Sequence, residues 1–246
     1  MVQSHRKLLF RLGTRKLHHL LQDELASKAL KCGRDKLFHY LRQEDMLIKP
    51  RRRYVQTTNS KHWLRRYPNL TKDMTISEPE QLWVSDITYI KTAEGNCYVN
   101  MVTDAFSRKI VGYSIADNME TSSMIQAYRM ALNNKQHKQI QTMHHSDRGL
   151  QYCSKEYIEL SNSHNCLISM TENGDPYENA LAERMNRTIK EEFGLGESLK
   201  SKKIAAQMIK EAVYLYNNYR PHLSLNYKTP NQIHKKISDN IQCYQR

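Results

Sequence analysis

The sequence lacks the features that mark a secreted, membrane-embedded or fibrous chain. No apolar run approaches the length of a membrane span, and the opening MVQSHRKLLFRLGTRK has too short an apolar stretch for a signal peptide. The five cysteines, Cys32, Cys97, Cys153, Cys166 and Cys243, are odd in number and never closer than 13 residues. That spacing excludes a disulfide framework and a CxxC metal knuckle, and it implies a reducing compartment. There is no internal repeat, no low-complexity tract and no heptad run of the leucine-zipper kind. The expectation left is a soluble intracellular protein, and 39% hydrophobic residues over 246 positions are enough to bury a core.

Charge is present in excess, and it is segregated. The formal net charge is +13, and residues 1–70 hold 17 Lys and Arg against 5 Asp and Glu, whereas residues 71–246 hold 21 against 20. A basic front end joined to a nearly neutral body points to a polyanionic partner, with nucleic acid the commonest. Within the front end, residues 14–28 and 34–46 are two helical patterns separated by Cys32 and Gly33, with Leu17, Leu20, Leu21 and Leu37, Tyr40, Leu41 as apolar stripes. Two short helices across a tight turn suggest a helix-turn-helix. The run KPRRRY, with Arg51, Arg52 and Arg53, then serves equally as a phosphate contact or as part of a solvated linker that extends to residue 70.

From residue 81 the pattern changes. LWVSDITYI, CYVNMVTDA and RKIVGYSIA are three successive strands, turned at AEGN and at Phe106 and Ser107, which implies an antiparallel meander. Thr121 caps a helix through Asn134, IQTMHHS is a fourth strand, Ser154 to His164 a helix and LISMT a fifth strand. After the turn-rich ENGDPYE comes NALAERMNRTIKEEF, a helix with Asn179 as its N-cap and Leu181, Met185, Ile189 and Phe193 as its apolar stripe. A further helix covers residues 201–218, before a Pro-containing tail. The order is βββαβαβα, an α/β fold.

Three carboxylates occupy unusual places. Asp86 sits inside a strand that otherwise reads as buried, Asp147 ends the fourth strand in HHSDRG, and Glu183 stands on the helix after the loop. Each has an ordinary structural use: a hydrogen-bonded buried acid, a turn residue, and one end of a Glu183–Arg187 surface pair. Taken together they suit Mg²⁺, which takes hard oxygen ligands and keeps open positions, and two such ions about 4 Å apart support in-line phosphoryl transfer. His144 and His145 alternate in orientation along their strand, so at most one faces such a site.

Thirty-five residues lie between Asp147 and Glu183, and Lys190 stands seven beyond the glutamate. With the stretches WVSDITYI, VTDAFSRKIVGYSI, HHSDRGLQY, ENGDPYENALAE and YNNYRPHLSLNYKTP, this resembles the D, D-35-E transposases and retroviral integrases. The wording is that of the integrase-type core of insertion sequence three family transposases, from about Leu82 to Pro230. The resemblance implies a ribonuclease H-like core, a mixed five-stranded sheet flanked by helices, over residues 76–236, preceded by a small helical DNA-binding region over residues 1–70. It also implies Asp86, Asp147 and Glu183 as catalytic and metal-holding residues for Mg²⁺ or Mn²⁺, with Asn186, Arg187 and Lys190 lining a DNA groove and the Gly174 to Glu178 loop moving until DNA arrives. The implied partners are transposon-end and target DNA, further copies of the chain, and an upstream reading-frame product. The implied setting is the bacterial cytoplasm, at the nucleoid when DNA is bound. The implied activity is cleavage at element ends and strand transfer into target DNA. A second reading keeps the DNA binding without chemistry, as a regulator or relic, and a third is a hydrolytic ribonuclease H.

Overall fold

The computed structural model describes residues 1–48, 67–172 and 176–235. The basic run Arg51 to Arg53 lies outside the described residues, as does the part of the loop before Glu183 that spans 173–175. The N-terminal module consists of α1 (Val2–Leu8), α2 (Thr14–Ser27) and α3 (Arg34–Gln43). Four-residue spacing turns Leu17 and Leu21 of α2 and Leu37 and Leu41 of α3 inward, and Leu9 and Leu12 complete the same cluster. Tyr40, expected on the inner stripe of α3, is exposed instead, since Leu37 and Leu41 already fill the contact with α2. Helix α1 is an addition to the sequence expectation. It is held by Arg6 Nη1 donating to the Met46 carbonyl at 2.7 Å and by His5 Nε2 lying 2.9 Å from Glu24 Oε1.

The body is built on one sheet of five strands: β1 (Leu82–Thr92), β2 (Gly95–Asp104), β3 (Ile110–Ala116), β4 (Met143–Ser146) and β5 (Leu167–Met170). Their spatial order is β3-β2-β1-β4-β5, with β1 in the middle. The β1–β2 and β2–β3 pairs are antiparallel, the expected meander, while β1–β4 and β4–β5 are parallel. Gly95 makes the first turn at φ +103°, a conformation that a side chain rarely permits.

Helices α4 (Thr121–Asn133) and α5 (Lys155–Ser163) cover one face, and α6 (Ala180–Glu192) and α7 (Lys202–Asn218) cover the other. Trp83, Val102, Tyr128, Tyr152 and Tyr157 fill the first layer, and Ile90, Val99, Met101, Met185, Ile189, Ile209 and Tyr216 the second. Burying each such large apolar side chain stabilises the fold by about 1.5–3 kcal/mol. Helix α4 seats closely because Gly112 of β3 has no side chain: a Cβ there would lie 2.1 Å from the Ala127 carbonyl oxygen and 2.7 Å from the Ala131 nitrogen. Its N-cap residue is Glu120, not Thr121, and no side chain caps it.

A last short helix, α8 (Pro230–His234), begins with a capping box between Thr229 and Gln232. It ends in a buried polar knot. His234 Nε2 lies 3.3 Å from Glu80 Oε1, and His234 Nδ1 lies 2.9 Å from the Ser107 hydroxyl, which donates to Asp104 Oδ1 at 2.6 Å. Glu80 also accepts from the backbone N–H groups of Gln136 and His137 at 2.9 and 2.7 Å, and its own N–H donates to Asp104 Oδ2 at 2.6 Å. Burial works against the charge on His234 and on Glu80, yet mutual attraction and these hydrogen bonds win, raising the histidine pKa and lowering that of Glu80.

Candidate active site

Strand alternation decides where Asp86 points. It shares a side of β1 with Leu82, Val84 and Ile90, which pack toward α6 and α7. The parallel β1–β4 ladder ends at the Val84–His145 pair. Asp86 lies just beyond that end on β1, and Asp147 just beyond Ser146 on β4. Adjacent parallel strands thus bring two acids together where their shared ladder ends, Asp86 from the middle of β1 and Asp147 from the C-terminal end of β4.

The corner is electrostatically crowded. Burial, and then the negative charge of Asp147, push the Asp86 pKa up to about 7, with Glu183 adding to the effect. Two hydrogen bonds oppose this: the Ile87 N–H donates to Asp86 Oδ1 at 2.8 Å, and Asn186 Nδ2 donates to Oδ2 at 2.7 Å. Asp147 Oδ1 accepts from the Gly149 N–H at 3.0 Å. Gly149 suits this turn, since a Cβ there would come within 3.1 Å of that same carboxylate oxygen. Below the pair lies the fully buried Tyr152, whose hydroxyl is kept from ionising by burial and by the charges of Asp147 and Asp86. Sequence reasoning did not single out Tyr152, although it stands inside HHSDRGLQY.

Helix α6 carries the third acid. Ala182, Met185 and Ile189 anchor it to the sheet, leaving Glu183 exposed, with its pKa raised by partial burial. Asn186 and Lys190 sit on the sheet-facing side and are 6% and 7% exposed, so they border the acids from within the protein. The Lys190 ammonium stands 4.8 Å from the Tyr89 ring centroid; burial lowers its pKa to about 8, against the pull of Asp86. Arg187 is exposed and pairs with Glu191 at 3.0 Å, not with Glu183. Asn179 holds the N-cap position without a capping bond, and its amide instead donates to the Ser85 carbonyl at 2.9 Å, tying the start of α6 to β1.

Both histidines are buried and committed to the core. His144 lies 2.5 Å from the Ser85 hydroxyl and 2.8 Å from the Tyr157 hydroxyl, and burial drives its pKa down to about 3. His145 contacts the Ser169 hydroxyl at 2.8 Å and the Glu178 carbonyl at 3.0 Å. Among the described residues no three His, Cys, Asp or Glu side chains are grouped closely enough to hold a metal ion. Asp86 and Asp147 form the assembled part of the site, and Glu183 stands at its rim.

Residues 76–176 match the family model described as an integrase core domain, and residues 164–230 match a second model of the same description. The chain is 33% identical over 226 residues to an insertion element IS600 uncharacterized 31 kDa protein of Shigella sonnei, a match that covers 91% of this chain and 81% of that one. It is 33% identical over 182 residues to the transposase for insertion sequence element IS904 of Lactococcus lactis, covering 71% and 72% of the two chains. Among solved structures, the HTLV-2 integrase catalytic core domain in complex with magnesium superimposes with a TM-score of 0.51 at 21% identity, covering 64% of this chain and 97% of that one. That likeness establishes the fold as ribonuclease H-like. With the sequence match spanning nearly the whole chain and the acids delivered by β1, β4 and α6, the chain belongs to the insertion-sequence transposases built on an integrase core domain.

Proposed function

We propose that Asp86, Asp147 and Glu183 are the residues through which this transposase cuts element ends and joins them to target DNA. The observation that carries the reading is the convergence of Asp86 and Asp147 on the neighbouring strands β1 and β4, where burial and the charge of Asp147 raise the Asp86 pKa.

The donor set fits divalent cations of the Mg²⁺ or Mn²⁺ class: all three candidate ligands offer hard carboxylate oxygens, and both neighbouring histidines are occupied in the core. Two such ions, held by the three acids, would supply charge stabilisation for the attacking and leaving oxygens of an in-line phosphoryl transfer. Asn186 holds the Asp86 carboxylate in one orientation through its 2.7 Å hydrogen bond. Lys190, its pKa lowered by burial and raised in part by Asp86, keeps a positive field next to that carboxylate. Glu183, exposed on α6, would be the third ligand, and Arg187 beside it faces solvent, where it would meet a DNA phosphate.

The same reading assigns residues 1–70 to DNA binding, including Arg51, Arg52 and Arg53, and residues 76–236 to catalysis. It also assigns assembly of several copies on transposon-end DNA and an upstream reading-frame product as a further partner, with action at the bacterial nucleoid in the cytoplasm. No helix among the described residues is long and apolar enough to cross a membrane. Nicking and strand transfer with labelled element-end DNA test the assignment. Asp86→Asn, Asp147→Asn and Glu183→Gln should each remove Mg²⁺-dependent products by a factor of 10³ or more, of order 4 kcal/mol in barrier. A variant that cuts and joins at the wild-type rate would exclude that residue. No observation at the site favours the reading without chemistry.

A further inference from the structure

The N-terminal module is fastened to the end of the helix that carries Glu183. Lys16 of α2 reaches Glu192, the last residue of α6, at 3.4 Å. The same carboxylate receives both Nε and Nη2 of Arg220 at 2.7 and 2.6 Å, in the forked geometry that fixes orientation as well as distance. Beside this node the His19 ring stacks on Tyr227 with centroids 4.5 Å apart and planes 17° from parallel. The leucine cluster of the module is shared as well, since Phe193 after α6 and Leu215 of α7 pack against it. An ion node, a ring stack and an apolar contact, involving residues far apart in the chain, all join the same two bodies.

Helix α3 leaves most of its surface open beside this contact. Apart from Leu37 and Leu41 its residues are exposed, among them Phe38 and Tyr40 at 40% and 48%. Arg42 lies 5.3 Å from the Phe38 ring centroid and Lys36 5.9 Å from that of Tyr40, so bases and flat apolar surface alternate on the free side. In a region with 17 basic residues against 5 acidic ones, that face fits a DNA duplex, with Lys and Arg on phosphates and the remaining side chains at base edges.

We propose that the Lys16–Glu192–Arg220 node and the His19–Tyr227 stack act as a ruler: they set the distance between the duplex held by α3 and the phosphodiester cut beside Glu183, independently of the chain between residues 48 and 67. This rests on the transposase reading above. It makes Lys16, His19 and Tyr227 positioning residues for the place of cleavage, not for its chemistry.

The test lengthens the connection beyond Arg51, Arg52 and Arg53, between residues 54 and 67, with Gly-Ser insertions and maps cuts on labelled element-end duplexes at nucleotide resolution. The full-length wild-type chain and its insertion variant should cut at the same single position. Adding Lys16→Met and Tyr227→Ala to the insertion should retain cleavage but spread it over several phosphodiesters, with loss of the single dominant product. A shifted, spread or abolished cut on insertion alone overturns the proposal, as does a single cut position in the combined variant. Hydrogen exchange supplies an arm that needs no DNA: α2 amides should lose protection in the Lys16→Met, Tyr227→Ala chain while α6 amides keep theirs, and unchanged protection of α2 would also overturn it. Because exchange is readable even if the wild-type chain cuts nothing, failure of the ruler is distinguishable from failure of the transposase reading.

Discussion

Replacing Asp86 by asparagine should destroy the chemistry and strengthen the fold. In the folded chain this carboxyl titrates at about 7 instead of its ordinary 3.8, chiefly through burial and then through Asp147. A displacement of about 3 units at roughly 1.4 kcal/mol per unit makes about 4 kcal/mol the ceiling on the cost of charging it. Below pH 3.8 the acid is neutral in both states and costs nothing. As pH rises toward 7, the unfolded chain releases the proton and the folded chain does not, so stability falls; above the folded value the loss is complete. The amide removes that dependence and remains well accommodated. Asn186 Oδ1 is buried without a hydrogen-bond partner, so turning the Asn186 amide over lets it accept from the new side chain. In chelator at pH 8 the variant should therefore melt about 6–12 °C higher, taking about 2–4 kcal/mol and roughly 3 °C per kcal/mol for a chain of this size. The gap should close toward pH 4. Saturating Mg²⁺ should raise the wild-type midpoint and leave the variant nearly unmoved, since only the wild type gains a charged ligand. Calorimetry across pH 4–8 reads all of this. Equal midpoints at pH 8, or a wild-type-to-variant gap independent of pH, would refute the claim that a crowded negative charge sits at this corner.

Other outcomes follow from the packing. Gly112→Ala should destabilise the chain by about 1–3 kcal/mol, because the added methyl meets the α4 backbone, which has no rotamer with which to retreat; urea midpoints read this, and an unchanged midpoint would mean that β3 and α4 are less tightly seated. His234→Gln should cost about 3–5 kcal/mol near pH 6 by leaving Glu80 and Asp104 without their cation. Since the folded pKa of His234 is raised above 6.5, its contribution is complete below 6.5 and is lost as pH rises through the higher folded value. The difference between wild type and variant should therefore narrow in alkaline buffer, and a constant difference would assign the effect to packing alone.

Much of this architecture was readable from local pattern. Runs of apolar and β-branched residues bounded by turn residues located β1 to β5 to within a few residues. Asp86 and Asp147 could be placed on strands, but their meeting depends on the parallel β1–β4 ladder, a non-local contact that no local period encodes. Asn186 and Lys190 were expected to line a DNA groove through the family resemblance, and their spacing from Glu183 put them on one polar face. In the fold that face is divided, and both turn toward Asp86 and Tyr89 while Glu183 and Arg187 face water. The two histidines of β4 and the amide of Asn179 spend their polar atoms on neighbours that become neighbours only after folding. The attachment of α2 to α6 was invisible for the same reason. Nothing near Lys16 in the chain announces Glu192 or Arg220.

The knot of Glu80, Asp104 and His234 joins the approach to the central strand with the closing helix of the core. A chain shortened to end before residue 230 would therefore leave two buried carboxylates without their cation beside the start of β1, far from the cut in sequence though adjacent to it in space. Residue 80, before the central strand, and residue 234, in the last described helix, are thus neighbours in space although more than 150 positions apart in the chain.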